Sequence, residues 1–327
     1  MRPRLVLAGS VLVDLVLQVP ELPERGGDML AAHAEQAVGG GFNVLTAARR
    51  LGLPVVYGGS HGSGSFGDLV RAALAAEGIV PLLPARTDRD TGYCVALVDA
   101  GGERTFVTAP GAESALTHAE AGELATAVAP GDVVQLSGYG LASAESAAAL
   151  TEFAATLPEG VSLCVDPGPL VSEIPPKLWE RVCARVDWLS CNRREARLLC
   201  GVEEGAAAAE ELLRRLRPGA GVVVRGDVEG CWLAGGGRWA DGTPDGGAVH
   251  VPGRPVTPLD SNGAGDAHVA AFLTFLGLGA TPTEAARGAN IAASVSVTRR
   301  GPATGPTAAE LASLLGPHDP LTALLPT

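Results

Sequence analysis

Short, continuously apolar runs alternating with helix-like segments constrain the fold of this chain more than any other feature. Residues 5–9, 55–58, 133–137, 162–166, 185–191 and 222–225 read as strands. Residues 43–51, 66–77, 143–156 and 194–200 read as helices, the first two ended by Gly52 and Gly78. Strands that are apolar along their whole length bury both faces, which calls for a parallel sheet covered by helices on either side. The expected fold class is α/β: a doubly wound, mostly parallel sheet with helices on both faces.

Two segments interrupt that rhythm. Residues 11–38 carry Asp14 and proline-rich turns where a helix would be expected. Residues 91–108 read as a hairpin turning at Asp99-Ala100-Gly101-Gly102. Extra antiparallel strands of this kind suit a small β lid over a site, or an interface between copies. With no internal repeat or long linker, the chain reads as a single domain, 1–327, with lid strands inserted at about 11–38 and 91–108.

Composition removes several classes of function. The chain is 46% hydrophobic, enough for a sizeable core. No apolar run reaches the roughly 18 residues of a membrane span, and the first is too short for a secretory signal. Net charge is −12 and the basic residues are scattered, which argues against nucleic acid as a partner. Cys94, Cys164, Cys183, Cys191, Cys200 and Cys231 form no Cys-x-x-Cys pair and lie mostly in apolar runs, as reduced core cysteines of a cytoplasmic protein do. The only lysine, Lys177, lies in Pro-Pro-Lys-Leu-Trp, so there is no Walker-type phosphate loop.

The most telling motif is Asp260-Ser261-Asn262-Gly263-Ala264-Gly265-Asp266, at the head of a mostly apolar segment. It reads as a loop entering a helix, with the Gly263, Ala264 and Gly265 amides free to face an anion. Asp266, in the first turn, is placed to accept a proton from an attacking hydroxyl. Asp14 stands inside the apolar run 11–17, where a carboxylate needs donors, and polyol hydroxyls would serve. Asn192 and Glu195, three apart at a helix start, fit a capping box on their own. Gly58-Gly59-Ser60-His61-Gly62 matches a nucleophile-elbow pattern, with His250 or His268 as base, but the segment after it does not start a helix promptly.

Taken together, these residues resemble the ribokinase-like (PfkB-type) carbohydrate kinases over nearly the whole chain. Gly39-Gly40-Gly41-Phe42-Asn43 with Leu51-Gly52 matches the N-terminal signature, and 260–266 matches the C-terminal one. Phe66-Gly67-Asp68, Asn192-Arg193-Arg194-Glu195 and the stretch 296–301 fall in the family's order. The resemblance implies transfer of the ATP γ-phosphoryl group to a hydroxymethyl group of a sugar or nucleoside. Asp266 would be the base and the Gly263, Ala264 and Gly265 amides the anion hole. Asp14, Gly40, Gly41 and Asn43 would hold the acceptor. Asn192, Glu195, Val224, Gly226, Gly230, Gly265 and Asn290 would line the nucleotide, with Glu195 holding Mg²⁺ through water. Asp260, Asn262, Ser296 and Gly301 match a loop that binds K⁺ in many members.

Some positions depart from that pattern. Ser261 and Asn262 stand where Thr is usual; Gly40 stands where ribokinases carry Lys, and Ser137 where they carry Glu. The departures leave room for another sugar, a sugar acid or a nucleoside. The expected protein is an ATP-dependent sugar kinase of the cytoplasm, with a homodimer through the lid strands as a possible assembly.

Overall fold

The computed structural model describes residues 3–236 and 247–326. In chain order its strands are β1 (Leu5–Ala8), β2 (Val11–Gln18), β3 (His33–Gly40), β4 (Val55–Tyr57), β5 (Tyr93–Val98), β6 (Arg104–Ala109), β7 (Val133–Ser137), β8 (Ser162–Asp166), β9 (Trp188–Asn192), β10 (Gly221–Arg225), β11 (Gly230–Gly235) and β12 (Val249–Pro252). The main sheet runs β12-β11-β10-β9-β8-β7-β1-β4. From β10 to β4 every pairing is parallel, and β11 and β12 add an antiparallel margin. The α/β expectation holds.

Strand β1 shows why the sheet is covered on both sides. Leu5 and Leu7 pack with Leu45, Phe272 and Phe275, while Val6 and Ala8 pack with Val134, Leu136 and Leu163. The period-2 alternation of a strand therefore feeds two apolar layers, one on each face. Burial of each Leu or Val side chain contributes about 1.5–3 kcal/mol.

The second sheet runs β3-β2-β5-β6, with β2 and β5 parallel and the outer pairs antiparallel. Residues 11–38, where the rhythm faltered, thus hold β2 and most of β3, and the hairpin read at 91–108 is β5 and β6. Buried Glu113 ties the hairpin base, accepting from the N–H groups of Gly92 (2.6 Å) and Gly111 (3.0 Å). Asp90 caps the helix Ser65–Ala76, accepting from Phe66 and Gly67 N–H at 3.0 and 2.8 Å. All six cysteines are free, and no helix among the described residues is long and apolar enough to cross a membrane.

Candidate active site

Ser137, Asp166, Asn192 and Arg225 are the last residues of β7, β8, β9 and β10. They line the carboxyl edge of the parallel sheet, where open α/β folds bind their ligands. The helix Ala264–Gly277 starts at this edge. Gly263 precedes it with φ of 71°, the left-handed region, and a Cβ there would lie 3.2 Å from the Asn43 side chain. Only glycine takes that position without strain. Of the amides at this helix start, Ala264 N–H makes a long 3.3 Å bond to Ser261 O, and the positive end of the helix dipole falls on the first turn.

Asp266 lies in that first turn, half-buried, and accepts a 2.8 Å hydrogen bond at Oδ2 from Asn43 Nδ2. Burial pushes its carboxyl up to about 7; the Asn43 bond and Arg225 work downward, and Asp166 and Asp14 work upward. Asn43 is itself fixed, since its Oδ1 accepts from Ala303 N–H at 2.8 Å. Sequence reading paired neither Asn43 with Asp266 nor either with Arg225.

Arg225 is the residue that reading missed. It closes the apolar strand β10 with a charge, which was the available signal. Its Nη1 donates to Asp166 Oδ2 (3.0 Å) and to Ser190 Oγ (2.7 Å), and its Nη2 lies 3.7 Å from Glu195 Oε2. A Cβ on Gly265 would come within 3.5 Å of the same guanidinium, so the helix start rests against it. Burial opposes the Arg225 charge, but Asp166 and Glu195 outweigh it and hold the group above its usual range. Tyr139, half-exposed after β7, faces the same carboxylates; burial, then the charges of Cys94, Asp266 and Asp166, push its phenol up to about 12.

Asp14 stands in β2 over Gly39 of the neighbouring strand, where a Cβ would lie 2.1 Å from its Oδ2. Burial raises its carboxyl to about 6. Gly40, at φ of 61°, turns the chain so that Gly41 N–H reaches Ser10 O at 2.8 Å. The helix Gly41–Arg50 then begins at once and carries Asn43 toward Asp266.

The residues expected along the nucleotide divide into two groups. Asn192 and Glu195 form a reciprocal capping box, each backbone N–H donating 2.8 Å to the other's side chain. Glu195 also leans on Arg225, and burial followed by Asp166 raises its carboxyl. Val224 is fully buried. Gly226 and Gly230 have packing reasons of their own: a Cβ would strike the Trp232 ring (2.3 Å) or Val251 O (2.2 Å). Asn290 is buried, its Nδ2 donating to Val251 O at 2.9 Å and its Oδ1 facing His268 Nε2 at 3.1 Å.

At the Asp260 loop, Oδ1 accepts from Asn262 N–H (2.7 Å) and from the Arg104 guanidinium, and Oδ2 accepts from Gly301 N–H (3.0 Å). Ser296 Oγ is within 2.8 Å of Thr304 Oγ1. Three donors, one of them a guanidinium, thus already occupy the Asp260 carboxylate and leave it little to offer a bound K⁺. Ser60 is buried and its hydroxyl has no partner among the described residues, His250 contacts Glu229 O, and His268 contacts Asn290, so neither histidine pairs with Ser60.

The family profile described as pfkB family carbohydrate kinase matches residues 2–309. An uncharacterized sugar kinase of Escherichia coli K12, YegV, is 32% identical over 315 residues, covering 95% of this chain and 93% of its own. A putative ribokinase II of E. coli, solved in complex with ATP and Mg²⁺, superposes with a TM-score of 0.77 at 21% identity, covering 96% and 99% of the two chains. An adenosine kinase of Sinorhizobium meliloti shares the fold with a TM-score of 0.81 at 20% identity, covering 97% and 100%. The chain therefore belongs to the pfkB family of carbohydrate kinases, which are phosphotransferases.

Proposed function

We propose that this kinase transfers the γ-phosphoryl group of ATP to a hydroxymethyl group of a small carbohydrate, with Asp266 as the base. The observation that carries the reading is Asp266 itself: a carboxyl near 7, oriented by Asn43, at the start of a helix whose first-turn dipole and neighbouring Arg225 favour negative charge. The acceptor rests over β2 and β3, its hydroxyls donating to Asp14 and meeting Gly40, Gly41 and Asn43. As its oxygen bonds to phosphorus, the hydroxyl proton passes to Asp266 and the bond to the ADP oxygen breaks. The amides of Gly263, Ala264 and Gly265 steady the charge on the moving group.

Asp166 and Glu195 suit Mg²⁺ held through water. They lie beside one Arg225, and Asp166 raises the cost of charge on Glu195, while no group of three or more metal-ligating side chains gathers among the described residues. When bound, Mg²⁺ supplies neutralisation of phosphate charge. The nucleotide lies along the edge of β9 to β11, with Asn192, Val224, Gly226, Gly230 and Asn290 shaping its walls through backbone and packing. The second sheet acts as the lid, in the single domain 1–327, with pairing of two copies through its outer strand and work in the cytoplasm.

The test is ADP release with a panel of pentoses, hexoses, sugar acids and nucleosides. Turnover confined to nucleosides would replace the sugar reading with a nucleoside kinase, and ligand-induced stabilisation without any turnover would make the chain a sugar-binding protein.

A further inference from the structure

We propose that the Arg104 guanidinium is the resident cation of the Asp260 loop, carried there by the second sheet in place of a bound monovalent ion. Arg104 is the first residue of β6, directly after the hairpin tip, and lies 156 positions from Asp260 in sequence. Its Nη2 donates to Asp260 Oδ1 and its Nη1 to Ser261 Oγ at 3.3 Å. Both partners of the ion pair are largely buried, with 19% and 13% of their side chains exposed.

The remaining donors leave little for an ion to hold. Asn262 N–H completes Oδ1, and Gly301 N–H takes one position on Oδ2. An ion at the last position would share one carboxylate with a guanidinium, and like charges at that range repel strongly away from bulk water. The guanidinium sets its positive charge directly against the Asp260 carboxylate. It thereby holds residues 259–262 against the loop after the helix Pro282–Ser296, where Leu259 and Asp260 N–H already meet Val297 O at 2.7 and 3.1 Å. Gly263 and the first-turn amides follow directly from that loop. Arg104 is thus a positioning residue: it acts on the phosphoryl site through the loop and touches no reacting atom. It also makes the hairpin tip a fastening between second sheet and anion hole.

The test uses the full chain, native and as Arg104→Ala and Arg104→Lys, in KCl and in tetramethylammonium chloride of equal ionic strength. Thermal melting needs no substrate, while ADP release rests on the kinase reading, so failure of that reading leaves the melting arm intact. The native protein and Arg104→Lys are expected to melt and turn over alike in both salts. Arg104→Ala is expected to lose about tenfold or more in kcat/KM in tetramethylammonium. KCl should restore much of that loss and raise Tm in this variant alone. A native protein that K⁺ stabilises or activates over tetramethylammonium would overturn the proposal. So would an Arg104→Ala protein that folds but gains neither Tm nor rate from K⁺. Should Arg104→Ala fail to fold, the response of native protein and Arg104→Lys to K⁺ decides the matter alone.

Discussion

At the scale of single residues, the proposed chemistry rests on Asp266 and Arg225. With its carboxyl near 7, Asp266 is part carboxylate at neutral pH, and only that form accepts a proton. The kcat/KM profile is therefore expected to climb with pH through about 7 and flatten above it, and initial rates between pH 5 and 9 check this. Asp266→Asn should lower kcat about a hundredfold or more while sugar affinity, followed by calorimetry, stays close to native. Because folding raises this pKa above its ordinary 3.8, the contribution of Asp266 to stability is full at low pH and is lost as pH rises through about 7. Asp266→Asn should consequently melt about 2–4 °C higher than native at pH 8, with a smaller gap at pH 5. Arg225→Met leaves Asp166 and Glu195 without their shared cation, and urea unfolding is expected to show a loss of about 3–5 kcal/mol. A loss below about 1 kcal/mol would mean that those carboxylates find compensation elsewhere.

Among the elements, legibility tracks burial. The strands read at 133–137 and 162–166 match β7 and β8 to the residue, because an apolar run with both faces buried has no competing reading. The helix read at 143–156 begins only at Ala147 and runs to Thr156, and a separate short helix, Gly138–Ala142, precedes it unread; Ser146 Oγ bonds back to Gly140 O between the two. Strand β3 left no signal: it is polar and mostly exposed, and only its pairing with β2 makes it a strand. The motif residues Asp14, Asn43 and Asp266 were legible by type and order, whereas the Asn43–Asp266 and Arg104–Asp260 contacts span 223 and 156 positions and leave no local period. The fit of β2 against β3 yields its own prediction. In Gly39→Ala the new methyl would displace the Asp14 carboxylate, so KM for the acceptor should rise about tenfold with kcat little changed. An unaltered KM would remove Asp14 from the acceptor site.

For the whole molecule, the second sheet ends in an open edge. β6 is its outermost strand, and Phe106 and Val107 there are 56% and 64% exposed. Exposed strand edges carrying large apolar side chains recruit a partner strand. Sedimentation equilibrium is expected to show a dimer at micromolar concentration, converted to monomer by Phe106→Glu. A monomeric native protein would leave this edge without a role in assembly.

Strand β3 passes into the helix Gly41–Arg50 without a linker, and that helix delivers Asn43 to the proton acceptor. Under the proposed function, a tilt of the second sheet would therefore carry over to the orientation of Asp266. If the proposed reading holds, discharge of ATP onto solvent is expected to be slow until an acceptor alcohol settles the cover, and ADP release measured with and without sugar checks it.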